Sequence, residues 1–96
     1  MVEGIYRVRI VVKEIQQKGV CGRGLKIGDE FIYEGENPPV LGCADALYTL
    51  WPWLNILRYG GSNPWETKPN GDRGFFRVCC QDPDSPVSFE VSRINE

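Results

Sequence analysis

Only one stretch of this chain is long enough, and free enough of glycine, to make a helix. It covers roughly residues 43–58, where Cys43, Leu47, Leu50, Leu54 and Leu57 recur every three or four positions, the single apolar stripe of a helix with one buried face. Arg58 followed by Gly60 and Gly61 marks its end, because glycine accepts the left-handed conformation that closes a helix. Pro52 falls inside the pattern. It has no N–H and crowds the preceding turn, so a kink, or two short helices meeting near Trp51, is expected. A chain with a single helix must lay it on a sheet, and the rest of the sequence has to supply the strands.

Alternation of apolar and polar residues supplies four. Over residues 5–15, Tyr6, Val8, Ile10 and Val12 share one face while Arg7, Arg9 and Lys13 share the other, the period-two pattern of a half-buried strand. Residues 16–24 form a glycine-rich loop around Cys21; Gly28-Asp29 then opens a second strand at 30–34, which Gly35 to Pro39 breaks. Residues 59–74 are dense in turn formers and make a long loop that Trp65 is expected to pin to the body of the domain. In Phe75–Cys80, Phe76, Val78 and Cys80 point one way and Arg77 and Cys79 the other; then Val87, Phe89 and Val91 alternate with Ser88, Glu90 and Ser92. The expected fold is therefore α+β, with the single helix packed on a mostly antiparallel sheet of four or five strands, in the order β-β-α-β-β. Ninety-six residues, 42% of them apolar, fit one domain spanning 1–96.

Composition removes several kinds of function. The chain has no histidine, so it offers no Ser-His-Asp or Cys-His couple and no His-containing zinc site. No catalysis of its own is expected. The net charge is −2, without the basic surplus of a nucleic-acid binder. Arg7, Arg9, Lys13 and Arg77 would form a cationic stripe if strands one and three were neighbours, but cross-strand pairing with residues such as Glu90 accounts for them more simply. No apolar run reaches the ~18–20 residues that span a bilayer, and Met1–Arg7 lacks a signal-peptide hydrophobic region. A cytoplasmic protein with no membrane or nucleic-acid partner is expected.

The four cysteines carry the most chemistry. They are too sparse for a disulfide scaffold. Cys80 shares the inward face of its strand, Cys43 lies on the helix stripe and Cys21 sits among glycines, whereas Cys79 faces outward with Arg77. If the loop after strand one and the end of strand three both lie near the helix start, three thiols converge. Thiolates are soft ligands for zinc, Cu(I) or iron–sulfur clusters, and Asp82, Asp45 or Asp29 is available as a fourth ligand. The spacing is not the paired C-x-x-C of a zinc ribbon, so small buried thiols are the plain alternative. A third reading gives Cys43 a redox or nucleophilic role, because a helix N-terminus stabilises a thiolate.

Tyr48, Trp51, Trp53, Tyr59 and Trp65 cluster around the helix and the long loop. Trp51 and Trp53 cannot both join the leucine stripe of a regular helix, so either one is exposed or the kink tucks both away. Exposed aromatic residues favour a protein partner or a homodimer, through a Trp51/Trp53/Trp65 surface or through a sheet edge.

Several of these residues also form a recognisable pattern. The run from Cys21 through Gly24, Lys26, Gly28 and Asp29 to Phe31 resembles the C-x-x-G-x-K-x-G-D-x-F opening of a family of short, uncharacterised prokaryotic proteins, known only as conserved hypothetical proteins. Cys43 to Tyr48, with Leu50, Pro52, Leu57 and Arg58 to Gly60, is similar to the family's central helix, and Cys80 to Asp84 with Val87, Phe89 and Glu90 to its closing segment. The resemblance implies no activity. It singles out Cys21, Cys43 and Cys80 rather than Cys79, and many members have His where this chain has Leu25. The expectation is a small protein that binds a thiophilic metal or iron–sulfur centre through Cys21, Cys43 and Cys80, with Asp82 as fourth ligand, as an accessory subunit of a larger enzyme. The alternatives are an interaction or oligomerisation module with buried thiols, and a thiol-redox protein using Cys43.

Overall fold

A computed structural model describes residues 5–15, 24–35, 44–80 and 86–94. The chain order is β1 (Val8–Ile15), β2 (Glu30–Tyr33), α1 (Ala44–Arg58), β3 (Phe75–Cys79) and β4 (Val87–Arg93). The fold is α+β, with a four-stranded antiparallel sheet of spatial order β2-β1-β4-β3. That spatial order lies beyond what periodicity could give. The first and last strands of the set stand side by side in the middle, and β3 touches β4 rather than β1.

β1 does what its alternation demands until it reaches Lys13. Val8, Ile10 and Val12 are buried beneath the helix, and continued alternation would drive Glu14 into the core. A bulge prevents this. Val12 pairs with Phe89 but Glu14 pairs with Ser88, so Lys13 is the extra residue. Ile15 then lies opposite Val87 and packs against the core, while Glu14 stays exposed.

The helix runs unbroken through Pro52, which corrects the expected kink or split. Proline leaves the Tyr48 carbonyl without its helical N–H donor, but this turn faces solvent, where water can take that place. Asn55 Nδ2 also donates to the Trp51 carbonyl at 2.9 Å, just before the proline. Leu50, Leu54 and Leu57 are fully buried against the strands, with Ala46 beside them. The end of α1 is a Schellman closure: Gly61 N–H donates to the Ile56 carbonyl and Gly60 N–H to the Leu57 carbonyl, with Gly60 at φ +90°.

Two side chains anchor this end. Arg93 donates to the carbonyls of Leu57 (3.3 Å) and Gly61 (2.7 Å) while lying over the Tyr6 ring. Arg58 lies over Tyr33, and its carbonyl accepts the Tyr6 N–H. The helix therefore ends where Val8, Tyr33 and Arg93 meet, and it starts toward the end of the sheet where Ile15 faces Val87 and Cys79 faces Ser88. Among the described residues no helix is long and apolar enough to cross a membrane.

Candidate functional site

Of the predicted ligands, Cys80 is described; Cys21, Cys43 and Asp82 lie outside the described residues, as does the side chain of Asp45. Cys80 follows the last residue of β3 and packs partly buried against the core. Its amide donates to the Val87 carbonyl, and the Val87 amide donates back to Cys80 Sγ at 3.2 Å. A backbone N–H aimed at sulfur is the outer-sphere contact that orients and tunes metal-bound thiolates. Asp29 is already engaged: its carboxylate accepts the Lys26 N–H at 2.9 Å and shapes the turn into β2. Among the described residues no group of three His, Cys, Asp or Glu side chains is close enough to hold a metal ion.

The ends of the described segments are informative. The chain leaves β1 at Ile15 and re-enters at Gly24, followed by buried Leu25, beside a turn whose Gly28 and Asp29 bond the backbone of Val12. It re-enters again at Ala44, the first residue of α1, and leaves at Cys80. All four points belong to one end of the sheet, opposite the Arg58 and Arg93 anchors. The described residues adjoining the Cys21, Cys43 and Asp82 segments thus gather around the Cys80 end.

Cys79 is on the other face. It pairs with Ser88, whose hydrogen bond to the sulfur favours the thiolate, in an open depression of about 280 Å³ also lined by Lys13 and Arg77. Burial pushes its pKa up, and nearby Cys80 adds to the shift, outweighing the bond from Ser88, which makes this exposed thiol less nucleophilic than a free one.

The outward cations are paired. Lys68 Nζ lies 2.6 Å and Lys13 Nζ 3.9 Å from the carboxylate of Glu90; Arg9 meets Glu30 at 3.0 Å and Arg7 meets Glu34 at 3.2 Å. Arg77 grips Glu66 with two bonds, at 2.9 and 2.7 Å. This contact holds the Glu66 carboxyl below its ordinary pKa and raises that of the guanidinium. With β4 between β1 and β3, Glu90 stands between Arg77 and the Arg7–Arg9–Lys13 row.

The aromatic residues divide into two groups. Trp51 meets Tyr33 edge-on at 5.9 Å on the β2 flank, whereas Trp53 packs on Phe76 at 4.7 Å and on Trp65 at 6.3 Å on the β3 flank. The three tryptophans do not form one surface.

Sequence reasoning passed over Asn63. It is 1% exposed; its Nδ2 donates to the Phe75 carbonyl, and its Oδ1 accepts the N–H groups of Trp65 and Glu66. The Asn63-Pro64 dipeptide was the available signal, since Asn side chains take backbone donors two or three residues on. No family model matches the chain, and none of the curated proteins or solved structures matches it.

Proposed function

We propose that this protein binds a thiophilic metal, as a zinc ion or an iron–sulfur centre, through Cys21, Cys43 and Cys80 with Asp82 as fourth ligand, and serves in the cytoplasm as an accessory subunit of a larger enzyme. The observation that carries this reading is the convergence at one end of the sheet: Ile15, Gly24, Ala44 and Cys80 border the segments that hold the other ligands, and Cys80 Sγ already accepts a backbone N–H. Three thiolates and a carboxylate suit tetrahedral coordination, with Zn–S bonds of about 2.3 Å. Bound there, the metal would cross-link three chain segments of a domain too small to bury a large core.

The test is elemental analysis and an absorbance spectrum of protein purified anaerobically without chelator. The expected result is near-stoichiometric metal that is lost in Cys43→Ser and Cys80→Ser and kept in Cys79→Ser. Metal-free protein whose thiols react only after denaturation would overturn the reading and leave an interaction module with buried thiols. The exposed rings of Tyr48, Tyr59 and Trp65 favour that second reading.

A further inference from the structure

Across its middle three turns the outer face of α1 carries no charge. Between Asp45 and Arg58 there is no Asp, Glu, Lys or Arg, although a helix with one solvated face normally shows charged residues there. At about 100° per residue, Tyr48, Pro52, Asn55 and Tyr59 line up opposite buried Leu50, Leu54 and Leu57, with Trp51 on one flank and Ile56 on the other. These side chains are exposed: Tyr48 by 77%, Tyr59 by 61% with the Arg58 guanidinium 6.0 Å from its ring, Ile56 by 39%, and Trp51, edge-on to Tyr33, by 36%. The far side of the sheet, by contrast, is a lattice of ion pairs.

From this face we infer that the protein self-associates, with α1 of one copy laid antiparallel against α1 of a second. Three features select a second copy over another partner. A stripe with no charged residue between Asp45 and Arg58 gives a charged partner little to read, but it meets itself without repulsion. The stripe is also nearly palindromic about a point between Trp53 and Leu54: in an antiparallel pair Tyr48 comes level with the second copy's Tyr59, and Pro52 with the second copy's Asn55. The bulky rings thus fall at the ends of the seam and the smaller residues at its centre, where the backbones approach. A two-fold axis across the seam brings each Trp51 beside its symmetry mate on one side, and each Ile56 beside its mate on the other.

The third feature is area. With aromatic side chains of roughly 150–250 Å² each, the exposed parts of the stripe sum to on the order of 450 Å² per copy, or about 900 Å² for the pair. That falls just under the roughly 1,000 Å² of a stable interface and fits a small, reversible one, to be sought at micromolar concentrations and above. The association does not depend on a bound metal.

Sedimentation velocity of the full chain from about 1 to 500 µM spans that range. The expected result is a concentration-dependent species of about twice the 10.9 kDa chain mass. Tyr48→Glu and Tyr59→Glu each shift the dissociation constant upward by about tenfold or more, with unchanged far-ultraviolet circular dichroism because both side chains are exposed. The double variant Tyr48→Lys/Tyr59→Glu sets opposite charges across the seam at both ends and recovers association relative to Tyr48→Lys alone. A chain that stays monomeric over the whole range overturns the inference. So does a dimer indifferent to both glutamate variants, which would place the contact elsewhere, or a double variant that recovers nothing.

Discussion

At the scale of single residues, Asn63 does more for the long loop than the tryptophan that draws the eye. Its amide satisfies one buried backbone carbonyl of β3 and two partly buried backbone amides of its own turn. Replacing it with alanine leaves these groups without partners, and unsatisfied buried groups cost about 1–3 kcal/mol each unless water reaches them. Asn63→Ala should therefore lower stability by about 2–4 kcal/mol in urea unfolding. Cys79 gives a second prediction at this scale. With its pKa raised by burial, it should resist iodoacetamide at neutral pH and react as the solution becomes alkaline, and this slow phase should vanish in Cys79→Ser. Alternation had already set Cys79 outward. It could not show that Phe75, on the same side, would be buried, because that burial depends on the loop bringing Lys68 over the ring at 5.0 Å.

At the scale of elements, α1 was legible in most respects, including its extent, its leucine face and its glycine closure. Its response to Pro52 was not. Local sterics argue for a break, but the packing of Leu50 on one side of the proline and of Leu54 and Leu57 on the other holds a single axis. Because the proline interrupts a ladder that persists anyway, Pro52→Ala should stabilise the fold, by about 1–3 kcal/mol, as a rise in the urea midpoint. The loop over 61–74 is held to the sheet by charge as well as by Asn63. Glu66, whose folded-state pKa lies below its ordinary value of 4.5, contributes stability that is present above that value. The contribution disappears as pH falls from 4.5 through the lowered folded-state value. Thermal unfolding followed downward from pH 4.5 should fall less steeply in Glu66→Gln than in the unmodified protein. The bulge at Lys13 was invisible for a different reason. A pattern of two gives no sign of where it will skip, and only pairing with β4 shows that Ile15, not Glu14, turns inward.

For the whole molecule, the architecture followed from having one helix and four alternating runs, while the order of strands did not, since periodicity says which face a residue takes and nothing about its neighbour. The candidate site divides the same way. The inward parity of Cys80 could be read from its strand, whereas the direction in which α1 runs over the sheet, with Ala44 at the end away from Arg93, follows from how its last turn is anchored. Arg93 illustrates the limit: an arginine near the end of a strand gives no hint that it will hold the last turn of a helix 36 residues earlier through the Leu57 carbonyl. Arg93→Ala should cost about 1–3 kcal/mol in urea unfolding, by removing charge-assisted bonds to two carbonyls and a stacked guanidinium.

The central pairing of β1 with β4 has a consequence for synthesis. While β1 and β2 emerge from the ribosome they can form a hairpin, yet a lone hairpin is at best marginally stable in water. The inner edge of β1, a row of backbone N–H and C=O groups, then stays open until residues 87–93 arrive to pair with it. Closure of the core therefore waits for the last strand, joining partners about eighty positions apart, a topology of high contact order that folds slowly and as a unit. A nascent chain stalled before Val87 would present an unpaired, β-branched strand to whatever chaperone or neighbouring chain it meets.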